Sequence, residues 1–405
     1  MSSRNTKLTP EAYFSDTDLA RQRKSYSELC RATLTESHMS NFMWNFPLIN
    51  HVHYPGILGF KGAFPRTPAV IVSCGPSLDV TGPLLKGIRD KCILIACDAA
   101  LPVMVKKYGV YPHFVVMIDP TAKQKDNFKD IDTTKFYTIV PPIVHPSIFR
   151  VVDPKHVAVY NVKEPKSAVF EAAPHHIGKR GALPAGVLTT GSCFGFAGAM
   201  TCDPIIFIGS DLSWPTPEKV YAEGISKAKS DYSKASKFKG DCLLFPDING
   251  DLVLTHQTFL VFWAWLRDNS KYITTRLINA TGAGILQFEG MNVMSFQKAI
   301  DKYCQKVLAG VEEKILKAYN YAFQDGQFEN LLLPPLKKKG AHHGRRKAPQ
   351  DQGRLLGNKP GGHGDGRSGP ADRGGSDGTP SDLRVGGQET HGCCAEGVNG
   401  PPEGR

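Results

Sequence analysis

Four strand-like runs in this chain end in small polar residues, and those endings are where chemistry could be done. The run at 69–73 breaks into Gly75-Pro76-Ser77 with Asp79 two positions on, and the run at 92–97 ends at Asp98. The run at 114–118 ends at Asp119-Pro120, and that at 204–208 at Gly209-Ser210-Asp211. In an open parallel sheet, ligands sit outside the carboxyl ends of the strands, so Ser77, Asp98, Asp119 and Asp211 are expected to face one crevice. Gly75 permits close approach of the backbone to a ligand, and Pro76 fixes the turn. Ser77 offers a hydroxyl and an amide at the start of the following helix, where the dipole favours phosphate. Each acid taken singly also reads as a helix cap or an Asx-turn, and Asp79 suits a first helical turn with or without a ligand. The segment AVIVSCGPSLD is neither a Walker loop nor a full GxGxxG.

Further candidates lie downstream. Thr189-Thr190-Gly191-Ser192 precedes an apolar, small-residue helix, so Thr190, Gly191 and Ser192 can contact an anion or nucleotide, although capping explains the same residues. His256 opens the apolar stretch HQTFLVFWAWLRDN. It reads as a cap or surface residue, and beside Asp211 it can serve as a general base. The loop Asn279-Ala280-Thr281-Gly282-Ala283-Gly284 either closes over a ligand or merely turns. His175-His176 falls in a polar loop and receives no role. No HxxxH, CxxC or DxD spacing occurs near these positions, and the metal ligands are left unknown.

The elements that must position these residues alternate. Strands are expected at 69–73, 92–97, 114–118, 137–140, 157–160, 204–208 and 275–279, with helices at about 80–89, 99–107, 190–201, 256–269 and 294–322. Continuous apolar strands such as CILIAC and FVVMI separated by helices imply a sheet covered on both faces. The fold class is therefore α/β: an open, mainly parallel, Rossmann-like sheet with helices on both faces. Residues 10–35 carry helical periodicity, and 45–66 is a Pro- and Gly-punctuated connector. The expected organisation is a helical N-terminal appendage (1–45), an α/β nucleotide-binding domain (46–325) and a tail (337–405).

That tail holds 18 Gly, 12 Lys or Arg, 8 Asp or Glu and no Phe, Tyr or Trp, so it cannot bury a core and is expected to be disordered. Its basic run at 337–347 can touch nucleic acid, and a fused or frameshifted end with no function accounts for it too. The body retains +7 of the formal +11, which suits anionic ligands or a solvated basic surface. The apolar run 259–266 is far below the ~20 residues that span a bilayer, and no apolar leader opens the chain. Cys92, Cys97, Cys193 and Cys202 lie singly in apolar runs, as reduced, packed thiols of a cytoplasmic protein do.

Taken in order, "NFPLINHVHYPGILGFKGAFPRTPAVIVSCGPSLD", "ILIACDAALPVMVKKYGVYPHFVVMIDP", "TTGSCFGFAGAMTCDPIIFIGSDLSW" and "RLINATGAGILQFEG" resemble the 6-hydroxymethylpterin diphosphokinase MptE-like family. That family includes the central domain of the motility accessory factor (Maf) flagellin glycosyltransferases. The likeness covers about residues 42–296, and its specific marks are GPSLD, Gly-Val-x-Pro-His before Asp119-Pro120, and Gly-Ser-Asp-Leu at 209–212. It implies a nucleotide-dependent transferase with a sialyltransferase-like core.

The favoured chemistry is glycosyl transfer from a CMP-nonulosonic acid type donor to a hydroxyl acceptor. The resemblance then makes Gly75, Pro76 and Ser77 the nucleotide turn, Thr190-Gly191-Ser192 the second nucleotide contact, and Asp211 and His256 catalytic; Asp98 and Asp119, from their strand ends, are taken as further nucleotide contacts. The alternative is diphosphoryl transfer from ATP to a hydroxymethyl dihydropterin, with Mg²⁺ held by Asp98, Asp119 or Asp211; no other cofactor is assigned. A non-catalytic nucleotide- or nucleic-acid-binding protein is the third reading. The expected partners are a nucleotide or nucleotide-sugar and a protein, glycan or pterin hydroxyl. Ser73-Cys74 departs from the smaller or amide residues usual before this turn.

Overall fold

Apolar runs too short to be helices dominate the sheet. Ala69–Val72 (β1) and Ile93–Cys97 (β2) are buried along their whole length. Such strands cannot show an in-out alternation, because helices cover both faces. The structure, a computed structural model, describes residues 10, 15–163, 167–184, 187–216, 219–225 and 242–324, all within the unit Met1–Leu336. The expected tail lies outside the described residues.

Asp16–Val52 (α1) is followed by β1, Leu78–Thr81 (α2), β2, Phe114–Val116 (β3), Tyr137–Val140 (β4), Ile148–Val151 (α3) and Val157–Val159 (β5). Then come Asn161–Val162 (β6), Ala168–Ile177 (α4), Ala182–Leu183 (β7), Thr189–Ala199 (α5) and Ile205–Ile208 (β8). The chain continues with Cys242–Pro246 (β9), Leu252–His256 (β10), Gln257–Ser270 (α6), Leu277–Asn279 (β11), Met291–Val293 (β12), Phe296–Tyr303 (α7) and Val311–Gln324 (α8).

Eight strands form one sheet in the order β12-β11-β8-β1-β2-β3-β4-β5, and every neighbouring pair is parallel. The chain builds from β1 outward to β5, then returns to the other side of β1 and builds outward again through β8. The order therefore reverses between β1 and β8, which is where such sheets open a crevice. Alternate residues feed two cores. Ala69, Ile71, Ile93, Ile95 and Phe207 pack with α1, α5 and α6, and Val70, Val72, Leu94, Ala96 and Ile206 pack with Phe296 and Ala299 of α7.

The expected α/β class and parallel sheet are found, with local differences. α1 runs through Pro47 to Val52 and so absorbs the first part of the expected connector. Its buried Phe42 and Ile49 anchor it to the core, and Asn41 and Asn45 each donate to two carbonyls after β3 and β4, at 2.7–2.9 Å. The helix expected at 80–89 shrinks to α2 and a 3-10 turn at Gly82–Leu85, where Pro83 has no N–H to extend the ladder. In place of the helix at 99–107 stand a 3-10 turn and a π turn. The final helix is broken between α7 and α8, and α4, β12 and the β9–β10 hairpin were not anticipated. Cys92, Cys97, Cys193 and Cys202 are buried free thiols, as expected. Among the described residues no helix is long and apolar enough to cross a membrane.

Candidate functional site

At the reversal between β1 and β8 the two strand ends are tied together: the Ser73 N–H donates to Ile208 O at 3.0 Å and the Gly75 N–H to Gly209 O at 2.8 Å. This brings Ser77 and Asp211, 134 residues apart, into contact. The Ser77 amide donates to Asp211 Oδ1 at 3.1 Å, and the Ser77 hydroxyl donates to Oδ2 at 2.8 Å. Both residues are buried. The donors that would greet a phosphate thus hold the protein's own carboxylate, and α2 offers only four residues behind them. Burial pushes the Asp211 carboxyl up to about 7, against the opposing pull of the Ser77 bonds. A Cβ on Gly75 would lie 2.1 Å from Asp211 Oδ2 and 2.7 Å from Gly209 O, so glycine at 75 is demanded by the β8 loop.

Beneath this pair lies a chain of small polar groups. Ser73 Oγ is 2.9 Å from Thr190 Oγ1 and accepts from Ser210 Oγ at 3.0 Å, and Cys97 Sγ is 3.6 Å from both Ser73 and Thr190. Thr190, at the start of α5, therefore joins the ends of β1, β2 and β8. Gly191 is buried in the same turn. Ser192 faces elsewhere, donating to Pro184 O at 2.9 Å and accepting from the Tyr160 hydroxyl at 3.4 Å.

Asp98 and Asp119 form a separate group at the ends of β2 and β3. Asn127 Nδ2 donates to Asp98 at 2.9 Å and to Gln124 Oε1 at 3.0 Å. Gln124 Nε2 in turn donates to Asp119 Oδ2 at 2.6 Å, and the Thr121 N–H to Oδ1 at 2.8 Å. The two acids are thus linked through two amides, apart from the Ser77–Asp211 pair. One turn of α1 before Asn41, His38 is held down at about 4 by burial, with the Asp119 charge opposing. Among the described residues no three His, Cys, Asp or Glu side chains converge on a metal position.

Asp79 does more than cap a turn. It accepts the Glu223 N–H at 3.0 Å and pairs with Lys107 and Lys219 at 3.2 Å each, which pins residues 219–223 over the Gly75–Ser77 turn. Burial opposes ionisation, but these donors hold its carboxyl below the usual range.

His256 ends β10 and caps α6, its Nδ1 accepting the Thr258 N–H at 3.2 Å. The hairpin lies on the loop after β8: Trp214 and Leu254 exchange backbone bonds at 2.8 and 2.9 Å, and Thr255 Oγ1 donates to Leu212 O at 2.8 Å. An Asn249-Gly250 turn between apolar stretches was the signal that would have revealed this hairpin. The loop after β11 is built on Asn279, which donates to Leu286 O at 2.5 Å and accepts the Thr281 N–H at 2.9 Å. A cleft of about 620 Å³, lined by Arg89, Tyr108, Tyr111 and Lys135 among others, opens at residues preceding β2, β3 and β4, at the opposite edge. The two strand-end groups lie at the other edge, where the order of the strands reverses and where open α/β sheets commonly take their ligands.

The family model described as 6-hydroxymethylpterin diphosphokinase MptE-like matches residues 40–217, from the middle of α1 to just beyond Asp211. The motif resemblance is thereby borne out over that span, which stops before the hairpin and His256. No curated protein matches the chain. Among solved structures it is similar to a Maf glycosyltransferase from Magnetospirillum magneticum AMB-1, at 16% identity and a TM-score of 0.47, covering 76% of this chain and 50% of that one. The chain spans about half the length of that relative.

Proposed function

We propose that this chain, MptE-like over residues 40–217, is a nucleotide-dependent transferase that moves a glycosyl group from a CMP-nonulosonic acid type donor to a hydroxyl acceptor. The carrying observation is the Ser77–Asp211 pair at the point where strand order reverses, inside the segment that the family model matches. The nucleotide would lie across that point, against the turn of Gly75, Pro76 and Ser77, with Thr190 and Gly191 of α5 behind it; Ser192 turns away.

In the reaction the bond between the sugar and the phosphate oxygen breaks, and its electron pair stays on the phosphate. The acceptor oxygen forms the new bond and must lose a proton. Asp211 is suited to take it, because a base works best with a pKa near the working pH and burial has brought this carboxyl to about 7. Ser77, hydrogen-bonded to both carboxylate oxygens, fixes its orientation.

The second reading is diphosphoryl transfer from ATP to a hydroxymethyl dihydropterin, and the description of the family favours it. Mg²⁺ is commonly held by one or two carboxylates plus substrate phosphates. Here Asp98, Asp119 and Asp211 are already hydrogen-bonded and fall into two groups, so the described donor set does not fit a preassembled Mg²⁺ site. Titration calorimetry on the full chain with CMP, CTP and ATP, each with and without Mg²⁺, separates the readings. Metal-independent CMP binding that weakens in Ser77→Ala is the expected result. Mg²⁺-dependent preference for ATP would establish the diphosphokinase reading instead, and silence from every nucleotide would leave a non-catalytic relative.

A further inference from the structure

We infer that the cleft at the amino ends of the strands is a second binding site, shaped for a small ligand that joins a planar apolar ring to a phosphate or carboxylate. Its volume of about 620 Å³ falls inside the roughly 300–1,000 Å³ usual for small-molecule sites. The walls come from the turns that lead into β2, β3 and β4, with α8 closing one side. None of the strand-end chemistry uses them.

Apolar residues line the depth of the cleft. Leu85, Tyr108 and Val110 are only 0, 5 and 7% exposed. The Tyr108 hydroxyl is turned inward to donate to Leu78 O at 3.1 Å, so ring and not a polar tip is left to the cleft. That ring is held in place. It fits because residue 82 is glycine, where a Cβ would lie 2.1 Å from Tyr108 Cε2. A ring already fixed costs little further ordering when a flat ligand packs against it. Gly87 and Gly109, also in the lining, have open space where a Cβ would stand, which leaves the mouth clear.

The rim is basic. Arg89 donates from Nε to Tyr111 O at 3.0 Å and pairs with Glu312 at 2.6 Å, so the one acid in the lining is already engaged. Lys86 and Lys135 are exposed, and among the described residues neither makes an ion pair; Asp132 attracts Lys135 from beyond that distance. Three cations against one carboxylate leave a positive surplus above an apolar floor. The charge selects and orients an anion, and the floor selects its ring. The cleft also backs onto the strand-end group, since Leu78 follows Ser77 and Lys107, beside Tyr108, pairs with Asp79. An occupant would rest against residues that hold α2 without competing for the Ser77 turn, and the inference stands whether or not the chain transfers a glycosyl group.

The probe is 2-naphthyl phosphate, titrated calorimetrically into the full chain, with 2-naphthol and inorganic phosphate as its two halves. One molecule should bind per chain, and each half should bind about tenfold more weakly or worse. Lys86→Glu with Lys135→Glu should weaken the probe about tenfold or more, and the milder Lys86→Gln with Lys135→Gln about fivefold. Lys155→Glu with Lys298→Glu makes the same charge reversal on exposed residues outside the lining and should stay within about twofold, as should Ser77→Ala. Thermal melts of each variant confirm that it is folded, and the Gln pair decides if reversal disturbs the fold. No binding of the probe at millimolar concentration, equal losses in the two reversed pairs, or loss in Ser77→Ala overturns the inference. Either half binding as tightly as the whole refutes the ligand class.

Discussion

Replacing Asp211 by Asn tests the strand-end pair through stability alone, without any knowledge of substrate. Burial raises the Asp211 carboxyl from 3.8 to about 7 in the folded chain. A gap of roughly three units corresponds to about 4 kcal/mol as an upper bound. The sign follows from proton binding: between those two values the folded state holds a proton that the unfolded state has released. The contribution is therefore fully present below pH 3.8 and is lost as pH rises through 7. Asn removes the titration but keeps the contacts, since its Oδ1 accepts the Ser77 N–H and its amide faces the Ser77 hydroxyl, which can turn to accept. Urea unfolding of wild type and Asp211→Asn across this range gives the difference directly. From pH 5 to pH 8 the wild type should lose about 3 kcal/mol relative to the variant, mostly below pH 7. A difference that stays level, or that grows in favour of wild type with rising pH, would show that the carboxyl is ionised at ordinary values and would remove the case for Asp211 as a base.

Gly75→Ala should destabilise by about 1–3 kcal/mol or more in the same assay, because the new methyl meets Gly209 O, a backbone atom that cannot step aside. In an Asp211→Ala background the cost should fall without vanishing. His113 runs opposite to Asp211. Burial holds it down at about 3, and its Nδ1 accepts the Leu94 N–H at 3.0 Å, so its stability is present above 6.5 and is lost as pH falls. His113→Asn, which keeps an acceptor for that N–H, should lose about 2 kcal/mol less than wild type between pH 6.5 and pH 5; equal losses would place the acid sensitivity elsewhere.

His113 also shows why a motif can be specific and still not be chemistry. It closes the Gly-Val-x-Pro-His mark of the family resemblance, yet it is buried and bridges to β2 through its ring and its own N–H. Asn41 and Asn45 carried no signal at all. Their importance comes from carbonyls 79 to 102 residues away, and no local pattern encodes that separation. His256 was visible as a helix start, and it is one, its Nδ1 accepting the Thr258 N–H. The hairpin that carries it follows a long polar stretch, and its signs were the Asn249-Gly250 turn and the apolar runs CLLF and LVL on either side of it.

By itself the sequence determined the class of fold and the edge of the sheet at which the small polar strand ends fall. Runs of four or five apolar residues bounded by turn residues and alternating with helices read as buried strands, and small polar residues at their ends fall at the carboxyl side of a parallel sheet. It determined the MptE-like resemblance as well, because that rests on order and spacing along the chain. Tertiary structure alone decided that the chain reverses between β1 and β8, so that Ser77 meets Asp211 while Asp98 meets Asp119 through two amides. The physical reason is that strand order and burial are set by packing over the whole sheet. A carboxyl raised to about 7 and a histidine held down at about 3, Asp211 and His113, exist only once distant residues have removed the water around them and supplied their partners.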